Sequence, residues 1–194
     1  MGKILIACEY SGTVRDAFAK MGHDAWSCDI LPTDVEGQHY QCDIADVIGN
    51  GWDLMIAHPP CTHLAVSGAK HFAAKKADGR QDAALTLVSM LLDAQIPHIA
   101  LENPISIIST RIRKPDQIIQ PWMFGHMEQK STCLWLKGLP KLTPTNNVKE
   151  EMLKLPRNQR ERLHYLPPSP DRWKIRSTTF QGIADAMAAQ WGAL

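Results

Sequence analysis

Short apolar runs alternate with amphipathic stretches along the first half of the chain. Residues 3–8 and 52–57 are apolar except for Lys3 and Asp53, as is typical of strands buried on both faces of a sheet. Residues 13–21 instead carry apolar side chains at helical spacing. The predicted strands are 3–8, 24–28, 52–57, 96–101 and 131–136, with a short element at 39–42, and the predicted helices are 13–21, 81–94 and 179–191. This alternation predicts an α/β fold with a doubly wound, mainly parallel sheet.

The second half of the chain is less regular. Residues 138–176 are rich in proline and charge, and they include a basic patch, KEEMLKLPRNQRER, with helical character. The C-terminal helix is expected to pack back on the core. Neither an internal repeat nor a long linker divides the sequence, so residues 1–194 are predicted to form a single domain.

Composition narrows the class of protein. The 194 residues are 44% hydrophobic and 21% charged, as in soluble globular proteins, and no apolar stretch has the length of a membrane span. The N-terminus lacks a signal-peptide pattern, so we expect a cytoplasmic protein. Because the net charge is only +1, a surface that binds nucleic acid would have to be a basic patch confined to one part of the protein. The five cysteines include no C-x-x-C pair, so neither a disulfide framework nor a metal site is expected.

The residues that could bind a ligand or take part in catalysis directly follow the predicted strands. In open parallel sheets, ligands bind beyond the carboxyl ends of the strands. The groups found there are Glu9-Tyr10-Ser11-Gly12, Asp29, Asp43, Pro59-Pro60-Cys61 and Glu102-Asn103-Pro104.

The first three groups indicate a nucleoside ligand. Gly12 opens a helix after a strand, but Val14 and Ala17 stand where a dinucleotide-binding fingerprint would have glycines. Asp29 and Asp43 are placed to bind ribose and base, although a turn or an N-cap would also explain each of them. An adenosyl ligand without a pyrophosphate, such as S-adenosyl-L-methionine, fits this pattern.

Cys61 and Glu102 are the candidate reactive groups. Two prolines end a strand rigidly and present Cys61 at the ligand edge, where a partly exposed thiol with thiolate character would act as a nucleophile. Glu102 leaves an apolar strand beside the same edge. A half-buried carboxyl there is expected to stay protonated and to donate to a ring nitrogen, unless it is a structural cap.

The order of ACEYSG, CDI, HYQCDIAD, DLMIAHPPC, ALENP, QKSTCLWL and QGIADAMAAQW resembles the DNA cytosine-5 methyltransferases. The resemblance covers residues 3–136 and the C-terminal helix, and it suggests a compact, phage-type member. It implies a Rossmann-like, S-adenosylmethionine-dependent methyltransferase fold. Cys61 would add to C6 of cytosine, Glu102 would bind N3 and the exocyclic amine, and Asn103 would hold the pocket.

The same resemblance implies the residues that bind the cofactor and the substrate. On the cofactor side, the Gly182-Ile183-Ala184 turn would close over the ligand. On the substrate side, residues 63–80 would form a mobile loop with Lys75 and Lys76 among its basic groups. The implied cofactor-binding residues are Tyr10, Ser11, Gly12, Asp29, Ile30, Asp43, Ile44, Pro60, Gly182 and Ala184, and the implied substrate-binding residues are Thr62, Ser67, Lys70, Arg80 and Lys130.

The sequence also departs from that family. Thr62 replaces the usual glutamine, and Pro104 follows Asn103 where valine is usual. The segment between residue 136 and the C-terminal turn is too short for the usual DNA-reading domain. DNA, with or without a separate specificity protein, is therefore one expected substrate, and a free pyrimidine nucleotide is the alternative.

Three other interpretations stay open from the residues alone. In the first, the same methylation of a pyrimidine at C5 would use a folate-derived one-carbon donor. A degenerate cofactor- or DNA-binding module would explain the altered motif positions. A cysteine hydrolase would use His58 or His63 beside Cys61, but the sequence indicates no third group to orient either histidine.

Overall fold

One seven-stranded sheet organises the protein in a computed structural model, which describes residues 2–194. The strands are β1 (Lys3–Ala7), β2 (Asp24–Asp29), β3 (His39–Gln41), β4 (Leu54–Ala57), β5 (His98–Pro104), β6 (Gln117–Ile119) and β7 (Thr132–Lys137). Their order is β3-β2-β1-β4-β5-β7-β6. Strands β1 to β5 run parallel to one another, whereas β7 runs antiparallel to both of its neighbours, β5 and β6. The prediction of a mainly parallel sheet is confirmed.

The central strands are apolar because both of their faces are covered. All four residues of β4 are buried, as are four of the five residues of β1. Ala7 pairs with Ala57, which in turn pairs with Leu101. The three chain segments that follow β1, β4 and the middle of β5 therefore start side by side at the carboxyl edge.

Nine helices connect and cover the strands within residues 2–194. They are α1 (Thr13–Lys20), α2 (Phe72–Ala77), α3 (Arg80–Leu92), α4 (Ile108–Arg111), α5 (Lys149–Leu153), α6 (Arg157–Arg160), α7 (Arg162–Tyr165), α8 (Arg172–Ser177) and α9 (Gln181–Trp191). Short 3-10 helices lie at Ile44–Asp46, Val66–His71 and Pro121–Met123.

Helices lie on both faces of the sheet, as doubly wound topology requires. On one face, Phe18 of α1 and Met187 and Trp191 of α9 are buried with side chains of β1 and β4. On the other face, Val88 and Leu91 of α3 belong to a second apolar cluster. The sheet therefore lies between two hydrophobic cores, one on each of its faces.

The later part of the chain differs most from expectation. Strand β6 was not predicted, because three residues are too few to show a periodicity. Four short helices, α5 to α8, lie between residues 149 and 177, and α5 and α6 fall within the patch that was predicted to have helical character. This segment is tied to the fold partly by side-chain amides: Gln117 bonds both backbone groups of Leu142, and Gln190 bonds both backbone groups of Thr143. None of the helices described here has the length and apolarity to cross a membrane.

Candidate functional site

The turn after β4 presents Cys61 at the carboxyl edge of the sheet. The backbone N–H of His58 still donates to Ala7 of β1, and the chain then leaves the sheet through Pro59 and Pro60. The carbonyl of Cys61 accepts bonds from the amides of Leu64 and Ala65 at 3.0 and 2.9 Å. Cys61 itself is partly exposed. The rigid presentation predicted from the two prolines is thus what the backbone provides.

Asn103 of β5 supports this turn from the neighbouring strand. Its side chain is buried, and its Nδ2 donates to the carbonyl of Pro59 at 2.9 Å. Its Oδ1 is also buried and has no hydrogen-bond partner. Asn103 therefore fixes the turn that carries Cys61, in keeping with the expected pocket-holding role, which itself stays a prediction.

Glu102 forms a hydrogen bond with His58. Nδ1 of His58 lies 3.2 Å from Oε2 of Glu102, and the two side chains are 10% and 14% exposed. This contact follows from the strand register. Ala57 of β4 pairs with Leu101 of β5, and His58 and Glu102 directly follow these two residues. The sequence pattern placed Glu102 correctly but did not indicate its partner.

The carboxyl of Glu102 is ionised rather than protonated. Burial acts to raise its pKa, but the hydrogen bond from His58 and the positive charge of Lys130 outweigh burial and lower the pKa below its ordinary value. The direction of this pKa shift runs against the expectation of a protonated carboxyl, which considered burial without these partners.

The thiol of Cys61 is shifted in the opposite direction. Burial and the negative charge of Glu102 raise its pKa, and the positive charges of Lys130 and Arg176 only partly oppose this. This direction of the pKa shift favours the neutral thiol and runs against the predicted thiolate character. These electrostatic effects also show that Cys61, Glu102, Lys130 and Arg176 share one neighbourhood.

The turn after β1 is closed by Glu9, to which the sequence pattern gave no role. The Glu9 carboxylate accepts from the amides of Val14 and Arg15 at 2.7 and 3.2 Å, and from the Ser11 hydroxyl at 3.1 Å. Gly12 adopts φ +75°, where a side chain would also collide with Arg15. Because a carboxylate already occupies the first amides of α1, this turn is not a phosphate cradle.

Two small clefts meet at the His58–Glu102 pair. We call them the β1 cleft and the β5 cleft after the strands they follow, and Thr179 lines both. The β1 cleft is lined by Cys8, Glu9, Tyr10, Ser11, His58, Ser177, Thr178 and Thr179. The β5 cleft is lined by Glu102, Lys130, Thr132, Thr179, Phe180 and Ile183.

The segment around α8 borders both clefts and was not predicted as part of the site. Ser177 Oγ lies 3.1 Å from the Tyr10 hydroxyl, and the Trp173 ring packs 5.6 Å from the Tyr10 ring. Lys130 Nζ donates to the Arg176 carbonyl at 2.9 Å. The sequence gives no indication of these contacts, because Tyr10 and Ser177 are 167 positions apart in the chain.

The acidic residues after β2 and β3 make local turn contacts. Asp29 Oδ1 accepts from the Leu31 amide at 2.9 Å, and burial raises the pKa of Asp29. Asp43 Oδ1 caps the 3-10 helix through the Ala45 amide at 2.9 Å. Ile30 beside them is 74% exposed, whereas Ile44 is 6% exposed. Ile44 thus packs in the core and is not a free adenine-flanking group, contrary to expectation.

The expected turn over the cofactor at residues 182–184 is instead part of α9. A Cβ on Gly182 would lie 2.0 Å from the Phe124 carbonyl, and its amide donates to His126 at 2.9 Å. Ala184 is fully buried in the core that α9 shares with α1. Gly182 and Ala184 therefore serve helix packing, and neither lines a cleft.

The segment after Cys61 is helical rather than an open loop. Lys75 is buried and its Nζ donates to the Thr62 carbonyl, so this lysine is not available to phosphates as expected. Leu64 is fully buried, and Ala65 bridges to Ser106. Of the expected substrate-binding residues, only Lys130 lines a cleft. Pro60, Thr62, Ser67, Lys70 and Arg80 are exposed.

Titratable side chains do not gather into a metal-binding group anywhere in residues 2–194: no three His, Cys, Asp or Glu residues are suitably grouped.

Comparison with known proteins adds little to this geometry. No protein-family model matches the chain, and no curated protein matches it. One similar solved structure, from Escherichia coli, is described as a "putative DNA modification methyltransferase encoded within prophage". It superposes with a TM-score of 0.45 at 15% sequence identity, over 79% of this chain and 55% of that one. The chain thus spans about half the length of that protein.

Proposed function

We propose that the protein is an S-adenosylmethionine-dependent methyltransferase that modifies C5 of cytosine in DNA through a covalent adduct with Cys61. In this proposal residues 1–194 act as one Rossmann-like catalytic domain. The observation that carries it is the meeting of Cys61 and Glu102 at one carboxyl edge, beside Lys130. Addition to a pyrimidine requires a nucleophile for C6 and a polar group that holds the opposite edge of the ring, and Cys61 and Glu102 would supply these.

The chain's own residues account for the activation of the ring. The Cys61 sulfur forms a bond to C6 as its thiol proton passes to solvent. The C5–C6 electron pair moves to the C4–C5 bond and the C4–N3 pair moves to N3, which takes up a proton from solvent, and the resulting enamine is nucleophilic at C5. Glu102 accepts a hydrogen bond from the exocyclic amine and stabilises the protonated N3 edge, with Lys130 balancing its charge. Asn103 keeps the Cys61 turn in position. The base that removes the C5 proton is unassigned.

The β1 side of the site suits this cofactor, which when bound supplies a methyl group activated as a sulfonium. Because Glu9 occupies the α1 amides, the turn favours a nucleoside ligand without phosphates. Tyr10 and Ser11 would contact the amino-acid end, and the second oxygen of Asp29 would accept ribose hydroxyl groups. Exposed Ile30 would cover the adenine.

The distribution of charge favours DNA over a free nucleotide. Residues 154–176 carry seven lysines and arginines but only two acidic residues, which leaves the rest of the chain net negative. Lys174 Nζ lies 5.2 Å from the ring of Tyr10, which lines the β1 cleft, and the charge of Arg176 acts on the Cys61 thiol, so a phosphate backbone along this segment would pass near Cys61. The shortness of the segment still leaves room for a separate specificity protein.

The structure supplies the group that a cysteine hydrolase would need to orient its histidine, but it lacks a hydrogen bond between that histidine and Cys61. Glu102 does orient His58, which the sequence alone could not indicate. However, Nε2 of His58 has no hydrogen-bond partner, so the thiol and the imidazole do not form a nucleophile–base pair. Methyl transfer therefore remains the better-supported reaction.

The test is transfer of tritium from labelled S-adenosylmethionine to duplex DNA, single-stranded DNA and dCMP, offered separately. We expect label in DNA as 5-methylcytosine, and Cys61→Ala should abolish transfer while leaving cofactor affinity unchanged. Label only in dCMP would establish the nucleotide alternative. Full activity of Cys61→Ala would rule out the adduct, and cofactor binding without any transfer would indicate a degenerate module.

A further inference from the structure

His58 occupies a singular position between the two clefts. Its ring is nine-tenths buried, and its backbone amide is bonded to Ala7, so the residue is held by the centre of the sheet. Nδ1 bonds Glu102, which lines the β5 cleft, whereas His58 itself lines the β1 cleft. Nε2 is buried and has no hydrogen-bond partner.

A buried ring nitrogen without a partner destabilises a fold, and such atoms call for an explanation. Neighbouring side chains do not supply one, since no hydroxyl or carboxylate of the β1 cleft bonds Nε2. A ligand with an N–H or O–H group in the β1 cleft would satisfy it. The cofactor proposed above carries such groups, so the inference rests on the proposed function.

We propose that His58 is a positioning residue that couples the two clefts: a donor on the cofactor bonds Nε2, and Nδ1–H then holds the Glu102 carboxylate for the pyrimidine. In a neutral imidazole one nitrogen donates and the other accepts. A donor at Nε2 therefore selects the tautomer whose Nδ1 carries the proton. Occupancy of the β1 cleft would in this way orient the carboxylate of the β5 cleft.

The charged and titratable groups around His58 are compatible with this role. Glu9 and Tyr10 face the β1 cleft from the turn after β1, and Glu102 faces the ring from β5. Lys130 contributes positive charge near Glu102, and Arg176 near Cys61. The ring thus lies between two carboxylates, each with a task of its own: one caps α1 and the other faces the β5 cleft.

The experiment is calorimetric titration of S-adenosylhomocysteine with and without a saturating short oligodeoxynucleotide that contains one cytosine. In the wild-type protein each ligand should tighten the other about fivefold or more, and by the same factor in both directions. Because the readout is binding, it does not depend on turnover.

Three substitutions separate the two ring nitrogens. His58→Asn keeps a donor near the Nδ1 position, so it should retain oligonucleotide affinity but lose the coupling. His58→Gln places its amide near Nε2 and should weaken oligonucleotide binding more than cofactor binding. His58→Phe removes both groups. His63→Asn is the matched control, because His63 lies on the same turn but lines neither cleft.

The outcomes distinguish this inference from the proposed function. Independent binding of the two ligands in the wild type, or unchanged coupling in His58→Asn and His58→Phe, would overturn the role of His58 and leave the proposed function standing. If S-adenosylhomocysteine does not bind the wild type at all, the cofactor assignment fails, and the coupling fails with it.

Discussion

At the scale of single residues, the site depends on how charges are distributed around a thiol. Cys61 and Glu102 were recognisable from the sequence, because each follows an apolar strand. Their ionisation was not, because it depends on His58, Lys130 and Arg176, which other segments bring close. Reactivity at this edge is therefore a property of the group rather than of Cys61 alone.

The alkylation rate of Cys61 should respond in opposite directions to two neighbouring charges. Glu102→Gln removes a negative charge that raises the thiol pKa, so alkylation by iodoacetamide at pH 8 should become faster. Lys130→Met removes a positive charge that lowers it, so alkylation should become slower. Each half unit of pKa changes the thiolate fraction about threefold.

Peptide mass spectrometry would follow Cys61 separately from the other four cysteines. Lys70→Met is the control, since Lys70 is exposed and its charge does not contribute to the thiol pKa. The electrostatic account fails if both charge-removing variants at the site change the rate in the same direction.

At the scale of elements, the β1–α1 turn is built around a carboxylate. Glu9 is 5% exposed and bonds two of the first amides of α1, a helix of eight residues whose Gly12 N-cap has no side chain to offer. The helix start is thus capped from within the turn. This element was correctly predicted as a helix, but its capping group was not found.

Replacement of Glu9 by Gln should destabilise the protein. The neutral amide retains at most one acceptor for two helical amides and loses the favourable charge at the helix start, so we expect a decrease of about 1–2 kcal/mol in the free energy of unfolding. Urea denaturation would measure it. Glu36→Gln makes the same chemical change on an exposed loop and should have little effect; equal decreases in the two variants would contradict the capping role.

At the scale of the whole molecule, charge is unevenly distributed. The net charge of +1 conceals a basic segment at residues 154–176, which ends directly before the cleft-lining residues Ser177, Thr178 and Thr179. Its short helices lie between β7 and α9. The surface next to the site is therefore far more basic than the chain as a whole.

DNA binding should depend steeply on salt through this segment. Lys154→Glu combined with Arg157→Glu should weaken binding of a cytosine-containing duplex and lower the slope of log K against log salt by about 1 for each phosphate that the segment no longer neutralises. Filter binding across a salt series would measure this. Lys20→Glu combined with Lys114→Glu changes the net charge equally on exposed residues near the opposite edge of the sheet. Equal weakening by both pairs would mean that only net charge matters.

The sequence by itself determined the doubly wound sheet and the strand ends at which chemistry gathers. Apolar runs and helical periodicity are local properties, and parallel strands necessarily bring their carboxyl ends to one edge. Cys61, Glu102 and Tyr10 followed from that rule.

Only the tertiary structure decided which groups touch. The bond between His58 and Glu102 spans 44 positions in the chain. The resemblance assigned Ile44, Gly182 and Ala184 to the ligand. In the structure Ile44 and Ala184 are buried in the core, and Gly182 packs against the Phe124 carbonyl. Hydrogen-bond partners and ionisation states depend on distances of a few ångströms between remote segments, and no local pattern in the chain encodes those distances.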